Sequence, residues 1–139
     1  MSVIVTDAVA THGFAPDDWN APIVALADIA DHKGAVDLTS TDDPTALIPH
    51  FGDLRLIRVA FPAYSDGRGF TIASRLRMLG YTGRLRAHGH VIADEYAMAR
   101  RVGFDEVEIS DEIAERQPAD QWAFRANWRD HNYQSRLRA

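Results

Sequence analysis

The chain has 139 residues, no cysteine and a formal net charge of −5, with 46% hydrophobic and 25% charged residues. That length and composition suit one soluble domain whose core needs no disulfide or metal. The absence of cysteine excludes a disulfide framework, a thiolate nucleophile and Cys-ligated zinc or iron–sulfur, and the negative charge argues against nucleic acid and anionic membranes as partners.

No apolar run approaches the roughly 20 residues that cross a bilayer. The start, "MSVIVTDAVATHG", lacks a basic n-region and carries Asp7 early, so no signal peptide is read and a cytoplasmic protein is expected. "SVIVTD" (2–7) reads as a weakly patterned strand and "FAPDDWN" (14–20) as an exposed turn around Trp19. "APIVALADIA" (21–30) and "GAVDLTS" (34–40) hold further strand candidates. "DDPTALIPHF" (42–51) opens a short helix, with Asp43 as N-cap and Pro44 at N1, and Pro49 limits it to a turn or two.

The most regular stretch runs from Leu54 to Ile109. "LRLIRVAF" (54–61) is apolar and β-rich and ends at Pro62, which predicts a strand. Ile72, Leu76 and Leu79 fall at helical spacing, predicting a helix near 70–80 that stops at Gly80 with Tyr81 as its hydrophobic contact. A second strand is expected over 84–88. A second helix is expected over 91–102, with Arg100 and Arg101 in its last turn and Gly103–Phe104 as its stop. "FDEVEI" (104–109) gives a third strand. Ser110 caps a short helix over 110–117, "QWAFRANW" (121–128) reads as a closing strand, and residues 129–139 form a polar, basic tail.

Alternating β and α segments with short loops predict a single α/β domain over 1–139, with Rossmann-like or flavodoxin-like layering. Four or five parallel strands should form an open sheet with βαβ crossovers. The three well-read strands should be adjacent and parallel. A complete eight-fold barrel needs about 200 residues or more and is excluded. Leu56, Ile57, Val59, Ile72, Leu76, Leu79, Leu85, Met98, Val107 and Ile109 are the expected core.

In open α/β sheets, ligands bind beyond the carboxyl ends of the strands. That rule selects Tyr64 to Thr71, His88 to His90, and Ser110–Asp111. In "FPAYSDGRGFT" (61–71), Gly67 and Gly69 permit positive φ and close backbone approach, Arg68 offers a bidentate donor, and a helix start lies just beyond. Asp66, Gly67, Arg68, Gly69, Thr71 and His88 are therefore the candidate site for an anion or a partner, with Asp66 holding the turn and Arg68 reaching outward. The competing reading is a turn in which Asp66 caps the backbone and Arg68 pairs with it. The run is neither a dinucleotide fingerprint nor a P-loop. "HGH" (88–90) lacks a third ligand in sequence, so no metal and no haem are expected as cofactors. Arg58 shares a strand face with Leu54, Leu56 and Ala60, and Asp37 is its expected partner.

The segments "FPAYSDGRGFTIASRLR", "YTGRLRAHGHVIADEYAMARRVGFDEVEI" and "YQSRL" resemble a family of small bacterial proteins of unknown function. Genes of that family neighbour assimilatory sulfite or nitrite reductase, and members are labelled oxidoreductases of sulfite reduction. "APDDW" near Trp19 also fits, whereas Asp94–Glu95 stands where the family has Asp-Gln. The resemblance carries no established catalytic residue, and no catalytic motif is visible in the chain. It implies an accessory protein of sulfite reduction with the sulfite reductase haemoprotein as partner. The alternative is a ligand-binding or enzymatic domain in sulfur assimilation that takes an oxyanion or phosphorylated ligand at the strand ends. A homo-oligomer is compatible with either.

Overall fold

A computed structural model describes residues 1–129. In chain order the elements are β1 (Ser2–Val5), α1 (Val9–His12), β2 (Ala15–Pro16), β3 (Val24–Ala25), β4 (Ala35–Leu38), β5 (Leu56–Phe61), α2 (Arg68–Met78), β6 (Arg84–Gly89), α3 (Tyr96–Val102), β7 (Glu106–Ser110), α4 (Asp111–Arg116) and α5 (Ala119–Arg125). Short 3₁₀ turns occupy Leu26–Asp31, Pro44–His50 and Ala93–Glu95. One seven-stranded sheet has the order β2-β1-β7-β6-β5-β4-β3. β3 to β7 run parallel, and β1 pairs antiparallel with both β7 and β2. The α/β class and the parallel central strands are those expected from the sequence.

β4, β5, β6 and β7 lie side by side in sequence order. Right-handed crossovers between such strands return on one side of the sheet. The core agrees: Val36, Ile57, Val59, Leu85, Ala87 and Val107 pack with Ile72, Ala73 and Leu76 of α2 and with Tyr96 and Ala99 of α3. Strand side chains alternate between faces. The intervening residues Asp37, Arg58, Arg86, His88, Glu106 and Glu108 therefore lie on the opposite face, where a doubly covered parallel sheet would be apolar.

Both helix stops form as read. Gly80 and Gly103 have φ +107° and +116°, a region that favours glycine. Tyr81 N–H donates to Leu76 O and Phe104 N–H to Ala99 O, at 3.0 Å each, and both rings are buried. The Arg77 guanidinium then donates to the carbonyls of Tyr81, Gly83 and Gly103, joining the two stops at the amino-terminal edge of the strands. Asp43 accepts from Thr45 N–H, and Ser110 Oγ from Ile113 N–H, as their N-cap assignments require.

Three expectations need correction. Residues 121–128 do not make a strand: Ala119, Trp122, Ala123 and Ala126 recur at helical spacing, and α5 buries Trp122 against Tyr96. Met98 is 52% exposed and Leu79 only partly buried. The α3 helix begins later than read, so its inward stripe is Ala93, Tyr96 and Ala99. The strand candidate within 21–30 is β3, Val24–Ala25, and it ends there because Leu26 and Ile29 turn inward from a 3₁₀ segment. Residues 14–20 are more than an exposed turn: Ala15 and Pro16 pair with β1, and Asp17 and Asp18 bind arginines of the sheet. The tail lies outside the described residues from 130 onward, as does "YQSRL".

Candidate functional site

The loop after β5 has a self-contained geometry. Asp66 Oδ1 accepts from Arg68 N–H at 3.0 Å, and Arg68 Nη2 donates to Asp66 Oδ2 at 2.6 Å. Asp66 thus holds the turn as expected, but Arg68 folds back onto it instead of reaching outward. The reason is chain geometry: a side chain two residues beyond an aspartate that caps its N–H is already within reach of the same carboxylate. Arg68 holds the Asp66 carboxyl down at about 2, against an ordinary 3.8. Neither Gly67 nor Gly69 adopts positive φ. Gly69 is needed for packing instead, since a Cβ there would stand 2.5 Å from the Phe61 ring. Gly67 faces open space, and Thr71 is exposed on α2.

His88 lies elsewhere, on the charged face of the sheet. It lines a cavity of about 320 Å³ with Met1, Ser2, Gly89, His90, Glu108, Ser110 and Ile113, which Asp66 to Thr71 do not line. Its Nε2 is 3.3 Å from Glu108 Oε2. Burial, then the positive charge of Arg58, push the imidazole below its ordinary range. His90 turns away: its Nδ1 meets Phe61 O at 3.2 Å and its ring stands edge-on to Tyr64.

Around His88 the face is a lattice of fixed charges. Arg58 is bidentate to Asp37, at 2.6 and 2.8 Å, and reaches Glu108 at 3.0 Å. The Asp37–Arg58 pair is the one expected from the sequence. Parallel register puts the two residues side by side on β4 and β5. Arg86 is fully buried and donates to Glu106 at 2.6 Å, Glu108 at 2.8 Å and Asp17 at 3.1 Å. Arg84 joins Glu106 at 2.7 Å and Asp18 at 2.5 Å. Ser2 Oγ donates to Glu108 Oε2 at 3.0 Å. Burial alone would raise the Glu108 carboxyl, but His88, Arg86 and Arg58 outweigh it and hold the group below its ordinary value. Three arginines face five carboxylates in this lattice. Its rim is acidic, because Asp18 and Asp37 keep 61% and 36% of their side-chain surface in water.

Over residues 35–139 the chain matches the model of a family described as bacterial protein of unknown function (DUF934). The chain belongs to that family. The DUF934 match opens at the first residue of β4 and spans Asp37, Arg58, Arg84, Arg86, His88, Glu106 and Glu108, while Ser2, Asp17 and Asp18 come from the segment before it. No curated protein and no solved structure matches the chain.

Sequence reasoning missed Arg84, Arg86, Glu106 and Glu108, although the signal was present. "RLRAH" and "EVEI" alternate charged and apolar residues at period two, which is the pattern of strands with one polar face. Asp17 and Asp18 carry no such signal, because their partners are more than 60 residues away in the chain. Among the described residues, no three His, Asp or Glu side chains converge as metal ligands, and no helix is long and apolar enough to cross a membrane.

Proposed function

We propose that this DUF934 protein is an accessory protein of assimilatory sulfite reduction that acts by docking, with the sulfite reductase haemoprotein as its partner. The pathway comes from the family resemblance of the central motifs. The observation that carries the docking reading is the acidic rim of the charged face of the sheet. Paired arginines pre-position Asp37, Asp17 and Asp18, the carboxylates of the lattice that reach water, above the buried Glu106 and Glu108. Charges held in place by buried partners lose little side-chain freedom when a partner arrives, so they favour register and specificity. The excess of carboxylates suits a basic patch on the partner. The loop of Asp66, Gly67, Arg68, Gly69 and Thr71 leaves β5 at the same strand edge as His88 and is put forward as a second contact.

The test is affinity capture of the reductase from the native host. The complex should be retained at low ionic strength, lost as salt rises, and weakened by the double substitution Asp18→Asn and Asp37→Asn in a protein that far-UV circular dichroism shows to be folded. Failure to capture the reductase at any ionic strength, with the protein folded, would remove this reading.

A further inference from the structure

A separate surface carries its own instruction. Asp94, Ala97, Met98 and Arg101 line a groove of about 500 Å³ together with Phe124, Arg125 and Trp128. The first four recur at i, i+3, i+4 and i+7, so they form one outward stripe along α3 and the 3₁₀ turn that leads into it. Met98 and Phe124 are 52% and 71% exposed, an apolar surface that the rest of the chain leaves uncovered among the described residues. Along the stripe the order is acid, small apolar, large apolar, base.

That order is complementary to itself when reversed. If two copies of α3 cross antiparallel about a two-fold axis between Ala97 and Met98, Asp94 of one faces Arg101 of the other at both ends. In the middle, each Met98 lies over the small Ala97 of the second copy. A two-fold interface requires such a self-complementary patch. We propose that the protein forms a homodimer through α3 and its groove, with Phe124 as the aromatic anchor beside the helix pair. Within the chain Asp94 is held by Arg125 at 2.9 Å, but both side chains are well exposed, so the pair is weak and gives way to a new partner. The inference does not rest on the docking reading, which uses the opposite face of the sheet.

Sedimentation of the full chain over a wide concentration range tests it. A concentration-dependent monomer–dimer equilibrium is expected, weakened by salt. Met98→Glu should weaken dimerisation by about tenfold or more, since it places a charge in the apolar centre. Arg101→Asp should do the same by setting two acids against each other at each end. The double variant Asp94→Arg with Arg101→Asp reverses both charges and should restore the dimer. Far-UV circular dichroism should be unchanged in all three, and so should thermal melts at concentrations where every protein is monomeric, because the positions are exposed in the single chain. A protein that stays monomeric at every concentration would overturn the proposal. That result is also what occupation of the groove by residues 130–139, or its reservation for a different protein, would produce. A dimer indifferent to Met98→Glu and Arg101→Asp, or a double variant that fails to restore association, would overturn it equally.

Discussion

At the scale of single residues, Asp66 and Arg68 show how a local pair and a site differ. Their contact closes within three residues and is exposed to water. An exposed ion pair contributes little to stability, so Arg68→Ala should change unfolding free energy by less than about 0.5 kcal/mol. The Asp66 carboxyl should respond clearly. Its folded value lies below its unfolded one, so its contribution is present above pH 3.8 and is lost as the pH falls toward about 2. In Arg68→Ala the Asp66 titration, followed by carboxyl-carbon NMR, should move up toward 3.8. An Asp66 value that stayed near 2 in the variant would show that the Arg68 side chain is not its cause. The same variant should bind the reductase more weakly if the loop is a contact.

At the scale of elements, burial decides what a helical residue is worth. Leu76 sits in the middle of α2 with no exposed surface and packs in the main core. Leu76→Ala should cost about 2–5 kcal/mol in denaturant unfolding. Met98 has the same helical setting on α3 but faces water in the single chain, so in the monomer Met98→Ala should stay within about 0.5 kcal/mol. Equal losses at the two positions would mean that α3 packs with a different phase. α5 teaches the same lesson. Its aromatic and alanine residues can be read as a strand from composition, but their spacing of three and four places Trp122 inward on a helix.

At the scale of the molecule, the consecutive order of β4 to β7 keeps their crossover helices off one sheet face, which carries the charged lattice with Asp17 and Asp18 laid against it. Such a face needs groups that water tolerates, yet Arg86 at its centre is fully buried. Arg86 is stable there because Glu106 and Glu108 accept its hydrogen bonds. Arg86→Met removes the shared cation and leaves both carboxylates short of a donor. Since Arg84 and Arg58 remain beside them, the loss belongs at the lower end of the range for broken buried pairs, about 3 kcal/mol near neutral pH. Glu108 is held below its ordinary 4.5 in the intact lattice. The stability it adds is therefore present above pH 4.5 and lost as the pH falls further. The deficit of Arg86→Met should narrow on acidification below about 4.5. A deficit under 1 kcal/mol at neutral pH, or one that does not depend on pH, would mean that the lattice does not support the fold.

What the sequence determined by itself was local. Hydrophobic period identified β5, β6, β7 and α2, and Gly80, Gly103, Asp43 and Ser110 marked helix ends, because each of those signals acts through neighbours a few residues away. Asp37–Arg58 was also legible, since a charge on an apolar strand demands a carboxylate and the adjacent strand candidate offered one. The pairing of Asp66 was open to two readings from sequence, and the folded loop turns Arg68 back upon it. Tertiary structure alone decided that one face of the sheet is filled by buried charges, that Asp17 and Asp18 cross it to Arg86 and Arg84, and that His88 joins Glu108 rather than the loop at 66–71. Those outcomes depend on strand order and register, which bring together residues up to 106 positions apart. No local propensity encodes that order; it is set by which strands can pair while burying a common apolar face against α2 and α3.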